Sequence, residues 1–479
     1  MSQPFVEPSC RGVIDAEACP RAAGREIAPA RRTAVLAGCV LASAMAFIDG
    51  SALTVALPAL RTSLGADLAS VQWVLNGYVL ALAALTLIGG ALADRYGKAR
   101  ILTLGCLVFA LASIACALAS GIGWLIAARA VQGIGAALLT PASLALIGAI
   151  YPKDERNRAV GVWAAASALT TAGGPVLGGW LTETFGWQAV FWLNPPVAVA
   201  AIALLYAFAP PDKREARGFD IVGAVLIAAA LGALAWGLSA IGEQQRATAT
   251  SSALPIAVAL TGALLGFLAY GYWERRTAEP MTPPRLANNR PFVGLNVATL
   301  LIYWGLALMF FLLPFDLIDK RGLSPAAAGA ALLPFTLGVG LLSRALGAAA
   351  DKIGSRTMLV IGPVGAALAF VWLAFGRELP IGWGVIAPMV LLGIAFAVLI
   401  TPLTASVLSS VDDSDEGLAS GVNNAASRVA QLAGIALAAG VGSLSAGYAL
   451  GLGIAAALCL GGAATIALTL PRRETRKHN

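Results

Sequence analysis

Two of the ionisable side chains that stand inside apolar runs are of opposite charge and in the first half of the chain: Asp49, within Phe47-Ile-Asp-Gly-Ser-Ala, and Arg129, within Ala127-Ala-Arg-Ala-Val-Gln-Gly. A carboxylate at mid-membrane depth costs on the order of 2.5–3.5 kcal/mol, so such groups usually face a cavity or a partner and act there. Asp49 falls about 16 residues into the first apolar run, roughly 24 Å along a helix. Arg129 lies about 20 residues, roughly 30 Å, from the end of its own run near Gly148, which the chain traverses in the opposite sense. The two therefore fall at similar depth and are candidate partners. Pairing favours the charged carboxylate, whereas isolation in an apolar site favours the protonated one. A conformational change that separates or solvates the pair would switch Asp49 between these forms, which is the chemistry of proton coupling. Two quieter readings stay open: a buried Asp that only braces neighbouring helices, and a static ion pair. Gln132, one turn beyond Arg129, can bond either partner.

A second polar group, Arg428 with Asn423 and Asn424 a turn away, marks a later apolar run. It suits either substrate contact or interhelical bonding, because Asn inside a helix bundle often joins helices. Trp73, Tyr78 and Tyr303, with Trp163, Trp304 and Phe310, could line a cavity for apolar, planar or cationic molecules. They could equally anchor helices at the membrane interface.

Other chemistries lack their parts. The single histidine is His478, in the C-terminal tail, so no imidazole handles protons within the apolar runs. There is no His-Glu-x-x-His pair and no carboxylate cluster for a metal or hydrolytic site. Gly97-Lys98 is followed by Ala99 and has no phosphate-loop glycine upstream, so an ATP-driven activity is unsupported. Of the six cysteines, Cys39, Cys106, Cys116 and Cys459 lie in apolar runs, which argues against a disulfide framework. The net charge of +7 reads as basic loops rather than nucleic-acid binding.

The elements that must hold these residues are membrane helices. The 479 residues are 58% hydrophobic and 12% charged, half the charged share of soluble domains. Fourteen apolar runs follow one another from about 33–60 to 443–470, each near the ~20 residues that cross a bilayer. Residues 1–32 hold no sustained apolar run and read as a disordered cytoplasmic tail rather than a signal peptide. With an even number of spans the two ends share a side, and the loops on that side hold 24 of the 32 Lys and Arg against five opposite. That bias puts both termini in the cytoplasm of a cell inner (plasma) membrane protein.

The segment Gly89-Gly-Ala-Leu-Ala-Asp-Arg-Tyr-Gly-Lys-Ala-Arg100 joins the second and third runs, and Gly347-Ala-Ala-Ala-Asp-Lys-Ile-Gly-Ser-Arg356 echoes it between the tenth and eleventh. Two such segments at matching places imply two related halves, the internal repeat of secondary transporters. The expected organisation is a six-helix bundle at 33–209, two inserted helices and a cytoplasmic linker at 210–290, a second six-helix bundle at 291–470, and a tail at 471–479. Gly90, Asp94, Arg95, Gly97 and Arg100, with Asp351 and Arg356, would form a cytoplasmic latch in which an acid at a helix end meets basic groups or a neighbouring helix N-terminus. Solvated loop charge that only sets topology is the simpler reading.

Over roughly 33–470 the chain resembles the major facilitator superfamily and, within it, the fourteen-span drug:proton antiporter group. Gly90, Leu92, Asp94, Arg95, Gly97, Lys98 and Arg100 match the superfamily's loop signature. Arg129-Ala-Val-Gln-Gly-Ile-Gly-Ala136 is similar to its span-4 motif. Gly174-Pro-Val-Leu-Gly-Gly179, with Gly174, Pro175, Gly178 and Gly179, is similar to the antiporter motif of span 5. Phe47–Pro58, Trp73, Tyr78, Trp187, Phe191 and Asn194-Pro195 fit the fourteen-span group, while Thr170 and Gln188 depart from its pattern. The resemblance implies an all-α major facilitator fold with 14 transmembrane helices. It implies a proton-driven exporter of amphipathic drugs, antibiotics or metabolites, with Asp49 and Arg129 coupling the proton. It implies no cofactor beyond the proton motive force and a monomer that needs no nucleic acid or ATP; no residue calls for a periplasmic adaptor. A facilitator or importer on the same fold, and less readily an integral membrane enzyme, are the competing functions.

Overall fold

The computed structural model describes residues 28–211, 220–244, 254–277, 284–411, 416–442 and 447–470. The tail at 471–479 and most of 1–32 lie outside them. The described residues fold into long helices without a strand. We number them α1 Pro29–Ser63, α2 Leu68–Tyr96, α3 Lys98–Ala117, α4 Ile122–Ile150, α5 Lys153–Phe185 and α6 Gln188–Phe208. Next come α7 Ile221–Gln244, α8 Leu254–Glu274, α9 Arg290–Phe315, α10 Leu333–Ile353, α11 Ser355–Phe375, α12 Ala387–Ser409, α13 Glu416–Gly442 and α14 Gly447–Thr469. A short helix, Pro325–Ala331, leads into α10.

Local sequence explains the boundaries. Asp67 caps α2 by accepting from the Ser70 amide at 2.8 Å, and Asn289 caps α9 by accepting from Phe292 at 3.2 Å, with Pro291 in the first turn where its missing N–H goes unfelt. Gly97 (φ +110°) turns α2 into α3, and Gly354 (φ +94°) turns α10 into α11. Both hold backbone conformations that an L side chain resists. They stand 257 residues apart, at equivalent places in the two echoing segments.

Eleven helices among the described residues are long and apolar enough to cross a membrane. The expected count of fourteen is therefore not confirmed. Helices α5, α7 and α13, each of 24 residues or more, are the three not among them, and several residues of each lie outside the described side chains. Val222–Leu234 of α7 is an apolar stretch.

Helix pairing follows one pattern twice. In the first set α1 packs on α5 and α6, α4 on α2 and α3, and α3 on α6; in the second α9 packs on α13 and α14, α12 on α10 and α11, and α11 on α14. Helix α7 lies against α2, α13 and α8, whereas α8 packs chiefly on α7 and has little of its surface covered.

Both described ends of the chain sit on one side, here the near end. There Arg31 donates to the Phe208 carbonyl at 2.7 Å, Arg32 pairs with Glu155 at 3.1 Å, and Thr469 abuts Gly294 at the start of α9. The far end joins the two sets. Arg61 at the end of α1 bonds Asp319 beyond α9 at 2.7 Å, and Glu183 of α5 accepts from the Ala326 amide at 3.1 Å.

Candidate coupling site and substrate cavity

Asp49 sits about 30 Å along α1, and Arg129 lies about two turns into α4, which starts at the far end. The opposed directions of the two helices bring them to one level, as their sequence positions suggest. Arg129 donates from Nη1 to Asp49 Oδ2, forming an ion pair with both side chains at 0% exposure. The same nitrogen donates to Gln132 Oε1 at 2.7 Å, and Nε donates to the Val74 carbonyl of α2 at 3.1 Å. Gln132 in turn donates from Nε2 to Asp49 Oδ1 at 2.9 Å. Nη2 finds no hydrogen-bond acceptor among the described atoms, but the guanidinium lies 4.2 Å from the Tyr78 ring centroid, a cation–π contact.

The structure adds a third partner that the sequence does not assign. Asn194 Nδ2 donates to Asp49 Oδ1 at 3.3 Å and to Ser113 Oγ at 2.9 Å, and Ser113 donates to the Phe191 carbonyl at 2.8 Å. Asn194 begins the second part of α6, just past the interruption at Leu193 and just before Pro195. An Asn-Pro step inside an apolar run is the available signal, but on its own it names no partner. Cys116 adds a weak contact to Gln132 Oε1 at 3.6 Å. Thus α1, α2, α3, α4 and α6 all converge on one carboxylate–guanidinium pair. Burial of such a pair is tolerated only when its remaining lone pairs and protons are also bonded, and here nearly all are.

In front of this network lies a cavity of about 350 Å³ between the two helix sets. Arg129 and Tyr78 form part of its wall, with Phe47 and Thr54 of α1 and Pro175 of α5; Tyr303 and Phe310 of α9 and Arg428 of α13 face them. Asp49 and Gln132 are not in the wall, so Arg129 stands between carboxylate and cavity. Of the expected cavity residues, Tyr78, Tyr303 and Arg428 are brought together. Trp73 is half-buried and off the cavity. Asn423 donates to Asn296 at 3.2 Å and to Thr299 at 2.8 Å, joining α13 to α9, while Asn424 is exposed.

The glycines of the span-5 segment lie at close approaches. A Cβ on Gly174 or Gly178 would strike Ser51 or Ala52 of α1, and one on Gly179 would strike Pro325 and Ala326 of the second set. Gly329 makes the reciprocal approach from the other side, against Pro175. The motif therefore packs α5 both onto its own set and across the far-end seam.

The expected latch is only partly described. Arg95 is exposed with its guanidinium 5.4 Å from the Tyr96 ring, and Arg356 donates to the Ala467 carbonyl of α14. Arg100 is exposed. The Asp94 and Asp351 side chains lie outside the described residues. Gly90 is not a tight contact, having only Pro141 at 3.6 Å from a built Cβ; the close approach belongs to its neighbour Gly89, against Ala137. A second buried acid also emerges: Asp316, 4% exposed, pairs with Arg321 at 3.2 Å and Arg377 at 2.8 Å near the far end. Asp49 is thus not alone as a buried carboxylate.

The sequence profile of the Major Facilitator Superfamily matches residues 39–286 and 295–479. The chain belongs to that superfamily. It is a transporter rather than an enzyme, and a multi-pass membrane protein. Among curated relatives it is 32% identical to the multidrug resistance protein Stp of Mycobacterium tuberculosis (strain CDC 1551 / Oshkosh), over 82% of this chain and 72% of that one. It is 36% identical to the cephamycin export protein CmcT of Amycolatopsis lactamdurans, over 82% of this chain and 81% of that one. A crystal structure of the peptide transporter POT in complex with sulfate shares the fold, with TM-score 0.68, 15% identity, and coverage of 92% of this chain and 94% of that one. Among the described residues no group of His, Cys, Asp and Glu is placed to hold a metal.

Proposed function

We propose that the chain is a proton-coupled exporter of amphipathic small molecules, in which protonation of Asp49 alternates with its pairing to Arg129. The observation that carries this reading is the position of Arg129, bonded to Asp49 on one side and forming part of the cavity wall on the other. A proton on Asp49 releases the guanidinium towards the cavity, and an ionised Asp49 draws it back. Relatives that bear resistance and export names support the outward direction.

In this reading α5, α7 and α13 complete fourteen spans, with the near end in the cytoplasm and the protein a monomer in the plasma membrane. The far-end contacts close the outer side in this conformation, and alternating access exchanges that seal for one at the near end. One inward proton supplies about 2.3 kcal/mol per 100 mV, plus the pH gradient.

Inside-out vesicles with an acidified lumen test the proposal, using ethidium and anthracene-9-carboxylate as probes. Wild type should accumulate at least one of them. Asp49→Asn should lose uphill accumulation at least tenfold yet keep downhill exchange, with its membrane level checked by immunoblot. Uphill accumulation by the Asn variant at the wild-type rate would remove Asp49 from the mechanism.

A further inference from the structure

Arg428 is the charged group of the cavity wall that the coupling network does not use. It is half-buried on α13 and donates to Gln431 Oε1 at 3.1 Å, a neutral partner on its own helix. Among the described residues no Asp or Glu lines the cavity, and none pairs with Arg428. The other wall cation, Arg129, is neutralised by Asp49 behind it. Among the described residues, the mostly apolar wall of this space of about 350 Å³ therefore carries one positive charge that no acid compensates.

An unpaired cation in low-dielectric surroundings is unfavourable until a counter-charge arrives. The guanidinium fork matches a carboxylate or sulfonate with two parallel bonds. The aromatic residues do not offset this preference by forming a cation cage. Tyr78 already carries Arg129 on its ring, and Phe310 is packed edge-to-face on Phe335 at 5.5 Å. A cationic ligand would meet Arg428 without a carboxylate to balance it.

We propose that this cavity selects monoanionic amphiphiles, with an apolar ring system against Tyr303 and Phe310 and an acid group on Arg428. The proposal rests on the exporter reading only in taking the bound molecule as cargo, since binding needs no gradient.

Equilibrium binding to the purified full-length protein tests it with three probes of one ring system. These are anthracene-9-carboxylate, its neutral amide and the 9-anthrylmethylammonium cation. Wild type should bind the carboxylate at least tenfold more tightly than either other probe. Arg428→Gln should reduce carboxylate affinity at least tenfold and leave the amide within twofold, whereas Arg428→Lys should keep most of the preference. If the Gln variant does not fold, the wild-type charge series and the Lys variant still decide. Equal or tighter binding of the cation, no binding of the carboxylate, or an unchanged carboxylate-to-amide ratio in the Gln variant would each overturn the proposal. Charge-selective binding without energised uptake would instead keep this site and refute the exporter reading.

Discussion

Gly179→Ala should tilt the balance between far-end-closed and far-end-open conformations. The added Cβ would lie 2.8 Å from the Pro325 carbonyl carbon and 2.9 Å from Ala326 Cα, and nearer still to the Pro325 oxygen. Real Cβ contacts of that kind need ~3.4 Å or more, so the seam between α5 and Pro325–Ala331 must part by roughly 1 Å, at an overpacking cost of about 1–3 kcal/mol. That contact joins the two helix sets and vanishes when the far end opens, so the cost falls on the closed conformation alone. At 1.4 kcal/mol per tenfold, the closed-to-open ratio should fall about 5- to 150-fold. Gly178→Ala is the control, because its Cβ meets Ala52 within the same set and burdens both conformations. The assay is alkylation of Ala328→Cys, a seam position 1% exposed, by a membrane-impermeant maleimide in a cysteine-free background. Gly179→Ala should speed labelling several-fold and Gly178→Ala should not. Equal labelling in both variants would refute the idea that the motif governs the seam.

The Arg61–Asp319 pair crosses the same seam but is partly exposed, at 34% and 27% of side-chain surface. Such pairs contribute about 0–1 kcal/mol, so Arg61→Ala and Asp319→Ala should each change the alkylation rate less than about fivefold, and the double variant should do no more. Asn423→Ala removes two hydrogen bonds between α13 and α9, each contributing about 0.5–1.5 kcal/mol. It should lower the thermal midpoint of the purified protein while leaving the charge preference of probe binding intact.

Much of the architecture is legible in the sequence because membrane helices announce themselves through long apolar runs and their loops through basic residues. Gly97 and Gly354 stand out as the turning points of two echoing segments, and both hold positive φ. Rise per residue puts Asp49 and Arg129 at one depth and so makes them candidate partners; that α1 and α4 adjoin and the two groups bond is what the structure adds. Asn194 is not legible as the third member, because its depth depends on the break at Leu193, and no run of apolar letters marks that break. Gly89 is hidden behind Gly90 for a similar reason: spacing along one helix does not tell which glycine faces Ala137 on the next. Asp316 draws no notice in the sequence, because Arg321 and Arg377 reach it from five and 61 residues away only in the fold.

The placement of α7 and α8 has a mechanical consequence. Because α7 touches both α2 and α13, any rocking of one helix set against the other must shear it past at least one of them. Its companion α8 faces outward along most of its length, so that shear is transmitted to the surrounding lipid. On the alternating-access reading, the cost of that motion would then depend on the bilayer through a helix that lines neither the Asp49 network nor the cavity.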